Sequence, residues 1–145
     1  MDDHAQLLWK QGDDLLAMGE KASALSAFVD SAMAEEQAGH LDRALVAWQA
    51  IMRRFGVSGH ILERCARVAE RLDLDPDTYV FWTAAAAVFR RHGMPKEAHV
   101  ATTHALILKE EERMPSPLAD FSAPPIAMEV LADDQHRELV IDLLW

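Results

Sequence analysis

Cysteine occurs once in this chain, asparagine not at all, and basic residues are in the minority. Each shortage excludes something. A single cysteine, Cys65, cannot form an intrachain disulfide or build a thiolate-rich zinc site. Lys and Arg total 14 against 24 Asp and Glu, and the net charge of -10 is the wrong sign for a surface facing nucleic-acid phosphate. Long apolar runs are missing too. The most hydrophobic stretch, Tyr79 to Phe89, is well short of the roughly 20 apolar residues of a membrane span. The opening Met1-Asp2-Asp3-His4 lacks the positive charge and apolar stretch of a secretory signal, so a cytoplasmic location is expected. No Gly-rich phosphate loop, nucleophile elbow, His-x3-His or His-Glu-x2-His spacing occurs. The expectation is therefore no catalytic residue, no cofactor and no metal.

What is present fits an ordinary globular chain: 145 residues, 50% hydrophobic and 26% charged. Alanine is abundant and Arg outnumbers Lys, a usage that suggests a GC-rich bacterial genome.

One pattern recurs along the chain. Gly19 is followed five residues later by Ala24, Gly39 by Ala44, and Gly93 by Ala98. Physically this is a corner between two helices. Glycine ends the first helix in a left-handed conformation, and the small alanine lets the next helix cross closely. Pro95 suits the first turn of a new helix, where no N–H is needed. Between corners the apolar residues follow a helical period: Ala5, Leu8, Gly12, Leu15 and Leu16; Ala22, Leu25, Phe28 and Ala32; Leu41, Leu45, Trp48, Met52 and Phe55. A fourth stretch runs from Gly59 to Leu72, a fifth from about Thr78 to His92, and a sixth from about Lys96 to Glu112. Asp75-Pro76-Asp77 stops and restarts the chain between the fourth and fifth. The fold class is all-α, six antiparallel helices with short turns, occupying residues 1–113.

Four of the six prolines follow, at Pro115, Pro117, Pro124 and Pro125, marking 114–126 as a linker. Residues 127–145 read as a C-terminal amphipathic helix with Asp133 or Asp134 as N-cap. Leu139, Val140, Leu143 and Leu144 form its apolar stripe, which Trp145 extends. A strand over Leu139–Trp145 is the alternative. The stripe would cap the helical array, dock on a partner, or associate with a second copy of the chain.

These residues resemble the tetratricopeptide repeat, a 34-residue helix-turn-helix unit. Leu8, Gly12, Leu15, Gly19, Ala24 and Phe28 match one unit. Trp48 and Trp82, Phe55 and Phe89, and Gly59 and Gly93 are each 34 apart, and Pro76 stands where the family's closing proline belongs. Gln11, Arg64 and Thr102 depart from the pattern, and an unrelated helical bundle is the second reading. The resemblance implies a stack of helix pairs with a concave groove lined by the first helix of each. It also implies work as an adaptor that captures a peptide or helix of another protein. A secretion-type chaperone, a regulatory module of a larger signalling protein and, from another class, a small helical enzyme are the alternatives.

The frame places Gln49, Arg53, Thr83 and Arg90 in the groove, with Trp9 continuing it. Arg53 and Arg90 would grip acidic groups, as Arg suits bidentate carboxylate contacts. Charge is uneven. Residues 1–40 hold eight acids and two bases, whereas residues 41–72 hold three acids and six arginines. Arg64, Arg67 and Arg71, at i, i+3 and i+7, form a stripe for an acidic partner or for the chain's own acidic tail; the bland reading is a solvated face with Glu63 and Glu70 pairing to Arg67. Trp48, Trp82, Phe55 and Phe89 are expected in the core, and Leu8 ahead of Trp9. Cys65, on an apolar helical position, reads as a buried small residue.

Overall fold

The computed structural model describes residues 3–110. The linker 114–126 and the stripe of Leu139, Val140, Leu143, Leu144 and Trp145 lie outside the described residues. Within them every regular element is a helix: α1 (Asp3–Ala17), α2 (Lys21–Gln37), α3 (Leu41–Phe55), α4 (Gly59–Arg71), α5 (Asp75–Arg91) and α6 (Pro95–Glu110). Each packs on the next, so neighbours run antiparallel. None of them is long and apolar enough to cross a membrane.

The corners are built as the glycine spacing predicts. Gly19 N–H donates to Leu16 O at 3.0 Å, and Glu20 N–H to Leu15 O at 2.9 Å. This pair of bonds closes a helix whose next residue is left-handed. The same pair recurs after α2 at Gly39 and after α5 at Gly93. The next helix begins without a spacer, because Glu20 O, His40 O and Met94 O already accept from Ala24, Ala44 and Ala98. Those three alanines are buried where the helices cross.

A fourth corner has the same bonds but no glycine. Asp73 N–H donates to Glu70 O and Leu74 N–H to Ala69 O, and Asp73 takes the left-handed φ of 57°. Thr78, completely buried, replaces the alanine and ties its hydroxyl to Leu74 O at 2.9 Å. The turn thus precedes Asp75-Pro76-Asp77, which lies inside the first turn of α5. Asp tolerates this conformation better than Ala does. Asp73→Ala is expected to cost about 1 kcal/mol, and Asp73→Gly to be near neutral. Urea unfolding of the two variants checks the order; equal stability would mean that the corner carries no strain.

The corners set a period of their own. Gly19 and Gly39 are 20 apart, as are Asp73 and Gly93, and the second pair follows the first by 54 residues. At that offset α2 (Lys21–Gln37) coincides with α5 (Asp75–Arg91). Gly59, 20 beyond Gly39, is not a corner. The chain turns at Gly56, Ser58 caps α4 by accepting from Ile61 N–H, and Gly59 opens the helix. Arg64 therefore breaks no rule by replacing an alanine there.

Gly59 serves a different purpose, shared with Gly12. A Cβ at Gly12 would lie 2.7 Å from the Phe28 ring, and one at Gly59 2.6 Å from the Phe89 ring. Both glycines let a phenylalanine of the next helix press against backbone. Trp48, Trp82 and Phe89 are buried as expected, whereas Phe55 is half-buried at the end of α3, 5.9 Å from Phe28. Leu8 and Trp9 are both half-buried, and Trp9 is the one packed on the core, its ring tilted against Phe28 at 4.4 Å.

Candidate protein-interaction surfaces

Two surfaces stand out among the described residues. The first is a groove of about 370 Å³ between α1 and α3. Ala5, Gln6 and Trp9 form the α1 wall, and Val46, Ala47 and Ala50 the α3 wall. Ser31 and Glu35 of α2 lie between them, with Arg43 of α3 beside them.

The groove's buried polar groups are already committed. Ser31 Oγ donates to Ala5 O at 2.6 Å. Glu35, only 7% exposed, takes a two-pronged contact from Arg43: Nε to Oε2 at 2.7 Å and Nη2 to Oε1 at 2.9 Å. His40 Nδ1 lies 3.2 Å from Oε1. The Arg43 hydrogen bonds hold the Glu35 carboxyl below its ordinary range, against the opposing effect of burial, with His40 adding to the lowering. What the groove offers a visitor is apolar, and Val46 on its wall is 68% exposed.

The second surface is the outer side of α4. Trp48 and Trp82 rise from α3 and α5 beneath it. Arg64 Cζ lies 5.8 Å from the Trp48 ring centre, and Arg67 Cζ 5.2 Å from that of Trp82. Glu36 of α2 accepts from Trp48 Nε1 at 2.6 Å and lies 3.5 Å from Arg64 Nη1. On the other side, His104 of α6 stacks on Trp82 at 4.2 Å. Glu63 lies 3.6 Å from Arg67 Nε, four residues away on the same helix. His60, Glu63, Arg64 and Arg67 line a cleft of about 280 Å³, and Arg71 is exposed at the end of the helix.

The remaining expected residues do not gather into either cleft. Gln49 is half-buried and its amide donates to Leu45 O of its own helix at 3.4 Å. Thr83 likewise donates to Tyr79 O at 2.8 Å. Arg53 is exposed near the end of α3, and Arg90 is exposed with Nη1 3.5 Å from Thr102 Oγ1. Arg54, which the sequence did not single out, reaches Asp13 of α1 at 2.6 Å and lies over Trp9 and Phe28. Glu35 and Arg43 were also missed, because their pairing spans a corner and follows no helical period. Cys65 is fully buried, and burial pushes its thiol well above the ordinary range, so it remains protonated.

Comparison with family models, with curated proteins and with solved structures gives no match.

Proposed function

We propose that this protein is a non-catalytic interaction module, similar to a tetratricopeptide repeat, that works in the bacterial cytoplasm and holds a peptide or helix of another protein in the α1–α3 groove. The observation that carries this reading is the chemistry of that groove. Its walls are mostly apolar and face outward, while its buried carboxylate, Glu35, is satisfied internally by Arg43. An apolar side chain can enter without stripping water from an unpaired charge. Val46, Ala50 and Arg53 follow one another at i, i+4 and i+7 along α3. A partner laid along this stripe would place apolar side chains over Val46 and Ala50 and an acidic one at Arg53. Arg90 is the corresponding grip on α5.

Val46→Asp tests this without threatening the fold, since the side chain is largely exposed. A photo-crosslinker at position 46 should capture the partner, and Val46→Asp should weaken binding of that purified partner by roughly 30-fold, the size expected of an interface anchor. Arg53→Glu should weaken it less and make binding less sensitive to salt. Binding unchanged by Val46→Asp would remove the groove from the reading.

A further inference from the structure

We propose that the acidic stripe of residues 134–142 docks along the Arg64–Arg67–Arg71 ridge, so that the outer side of α4 is covered by the protein's own C-terminal segment rather than by a partner.

Three observations carry it. The first is charge. Residues 41–72 are the excess-basic part of the chain, and residues 114–145 carry six acids and one arginine. The second is spacing. Asp134, Glu138 and Asp142 recur every four residues, the spacing that would line them along one side of a helix. Along a helix they span about 12 Å, and the three arginines of α4 span about 10.5 Å. One stripe matches the other in sign and length.

The third is where the chain leaves the described fold. Arg67 of α4 and His104 of α6 both lie against Trp82, so α4 and α6 flank α5 side by side. Each is antiparallel to α5, so they run parallel to each other. Arg71 is one turn beyond Arg67, and α6 ends at Glu110, six residues beyond His104. The chain leaves α6 at the end of the stack where the ridge finishes. Twenty-three residues separate Glu110 from Asp134, enough to reach about 80 Å if extended, so reach is not limiting. A tether of this length keeps the acidic stripe at an effective concentration near the millimolar range. The ridge itself is prepared: Arg64 and Arg67 are held over tryptophan rings, so less side-chain freedom is lost on contact.

Disulfide trapping in the 145-residue chain tests the contact. The native Cys65 is fully buried and does not interfere. Arg71→Cys is combined with Asp142→Cys and, separately, with Asp134→Cys, one pair for each direction of docking; one of the two should give an intrachain disulfide, because Arg64 and Arg67 still face the two remaining acids. Its rate should fall roughly tenfold when the two remaining acids of the stripe are changed to Lys, and also in 1 M salt. Hydrogen exchange across residues 64–71 should speed up in the same charge-reversed chain, with helical circular dichroism unchanged. A control pair, Glu20→Cys with Asp142→Cys, sets the background rate. Trapping no faster than this control overturns the proposal. So does trapping that charge reversal leaves unchanged, and so does an interchain disulfide, which would assign the ridge to a second copy. None of these results bears on binding in the α1–α3 groove, where Val46→Asp is read separately.

Discussion

Phe28→Ala is expected to cost about 3–5 kcal/mol, a large share of the roughly 5–15 kcal/mol that holds a typical domain together. The ring is fully buried and sits where three helices meet: Gly12 and Trp9 of α1 on one side, Phe55 and Arg54 of α3 on the other. Removing it leaves a cavity that the backbone at Gly12 cannot collapse to fill. The same contact makes a sharper test through coupling. Gly12→Ala alone puts a methyl group 2.7 Å from the ring. The ring cannot give way, because Trp9 and Arg54 lie against it, so a loss of about 1–3 kcal/mol follows. In a chain already carrying Phe28→Ala, the same Gly12→Ala change should be neutral or favourable. The clash is gone there, and alanine is about 1 kcal/mol the better helix former. Urea unfolding of the four chains gives the coupling directly. Additive losses would show that Gly12 and Phe28 do not press on each other. Gly59→Ala should repeat the single-variant loss through Phe89, where the approach is 2.6 Å.

The second large effect concerns charge. Arg43→Ala should destabilise the fold by about 1.5–3 kcal/mol at neutral pH. The arginine is itself half exposed, so most of that loss arises at the buried end of the contact, where Glu35 loses its two-pronged partner and keeps His40 beside it. The pH dependence follows from the lowered carboxyl of Glu35, which Arg43's hydrogen bonds cause first of all. A group whose folded pKa lies below its unfolded one contributes stability above the unfolded value. That contribution fades as pH falls through the folded value. The native chain should therefore lose this part of its stability on acidification below about pH 4.5, the ordinary value for the group. Arg43→Ala should lose less over the same range, because less remains to be lost. Arg43→Lys restores the charge without the two-pronged geometry and should fall between the two. Urea midpoints at neutral pH and near pH 3 decide it. An equal deficit at both pH values would assign the effect to the packing of the arginine stem.

Much of the architecture could be read from local chemistry. A helix corner is closed by bonds among residues close in sequence, so Gly19, Gly39 and Gly93 announce their corners by themselves. Burial of Trp48, Trp82 and Phe89 was legible for the same reason: on an amphipathic helix the face that enters the core is fixed by the period of its apolar residues. The corner at Asp73 was not legible in the same way. Its bonds are identical, but a residue other than glycine carries the left-handed turn, and the nearby proline drew attention one step too far along.

The surfaces divide differently. The spacing of Arg64, Arg67 and Arg71 placed them on one stripe of one helix. It could not show that two of them would lie over tryptophans supplied by α3 and α5. Gly12 was visible as a small residue on an apolar face, but the ring it admits comes from the next helix.

The sequence by itself therefore determined the six helices, the three glycine corners and most of the residues that face inward, because each depends on neighbours within about one turn. Only the tertiary structure decided which ring meets which glycine, that Glu35 is closed by Arg43 across a corner, and that an apolar groove opens between α1 and α3. Those features depend on the angle and distance at which two helices cross, and that crossing is set by side chains on both helices at once.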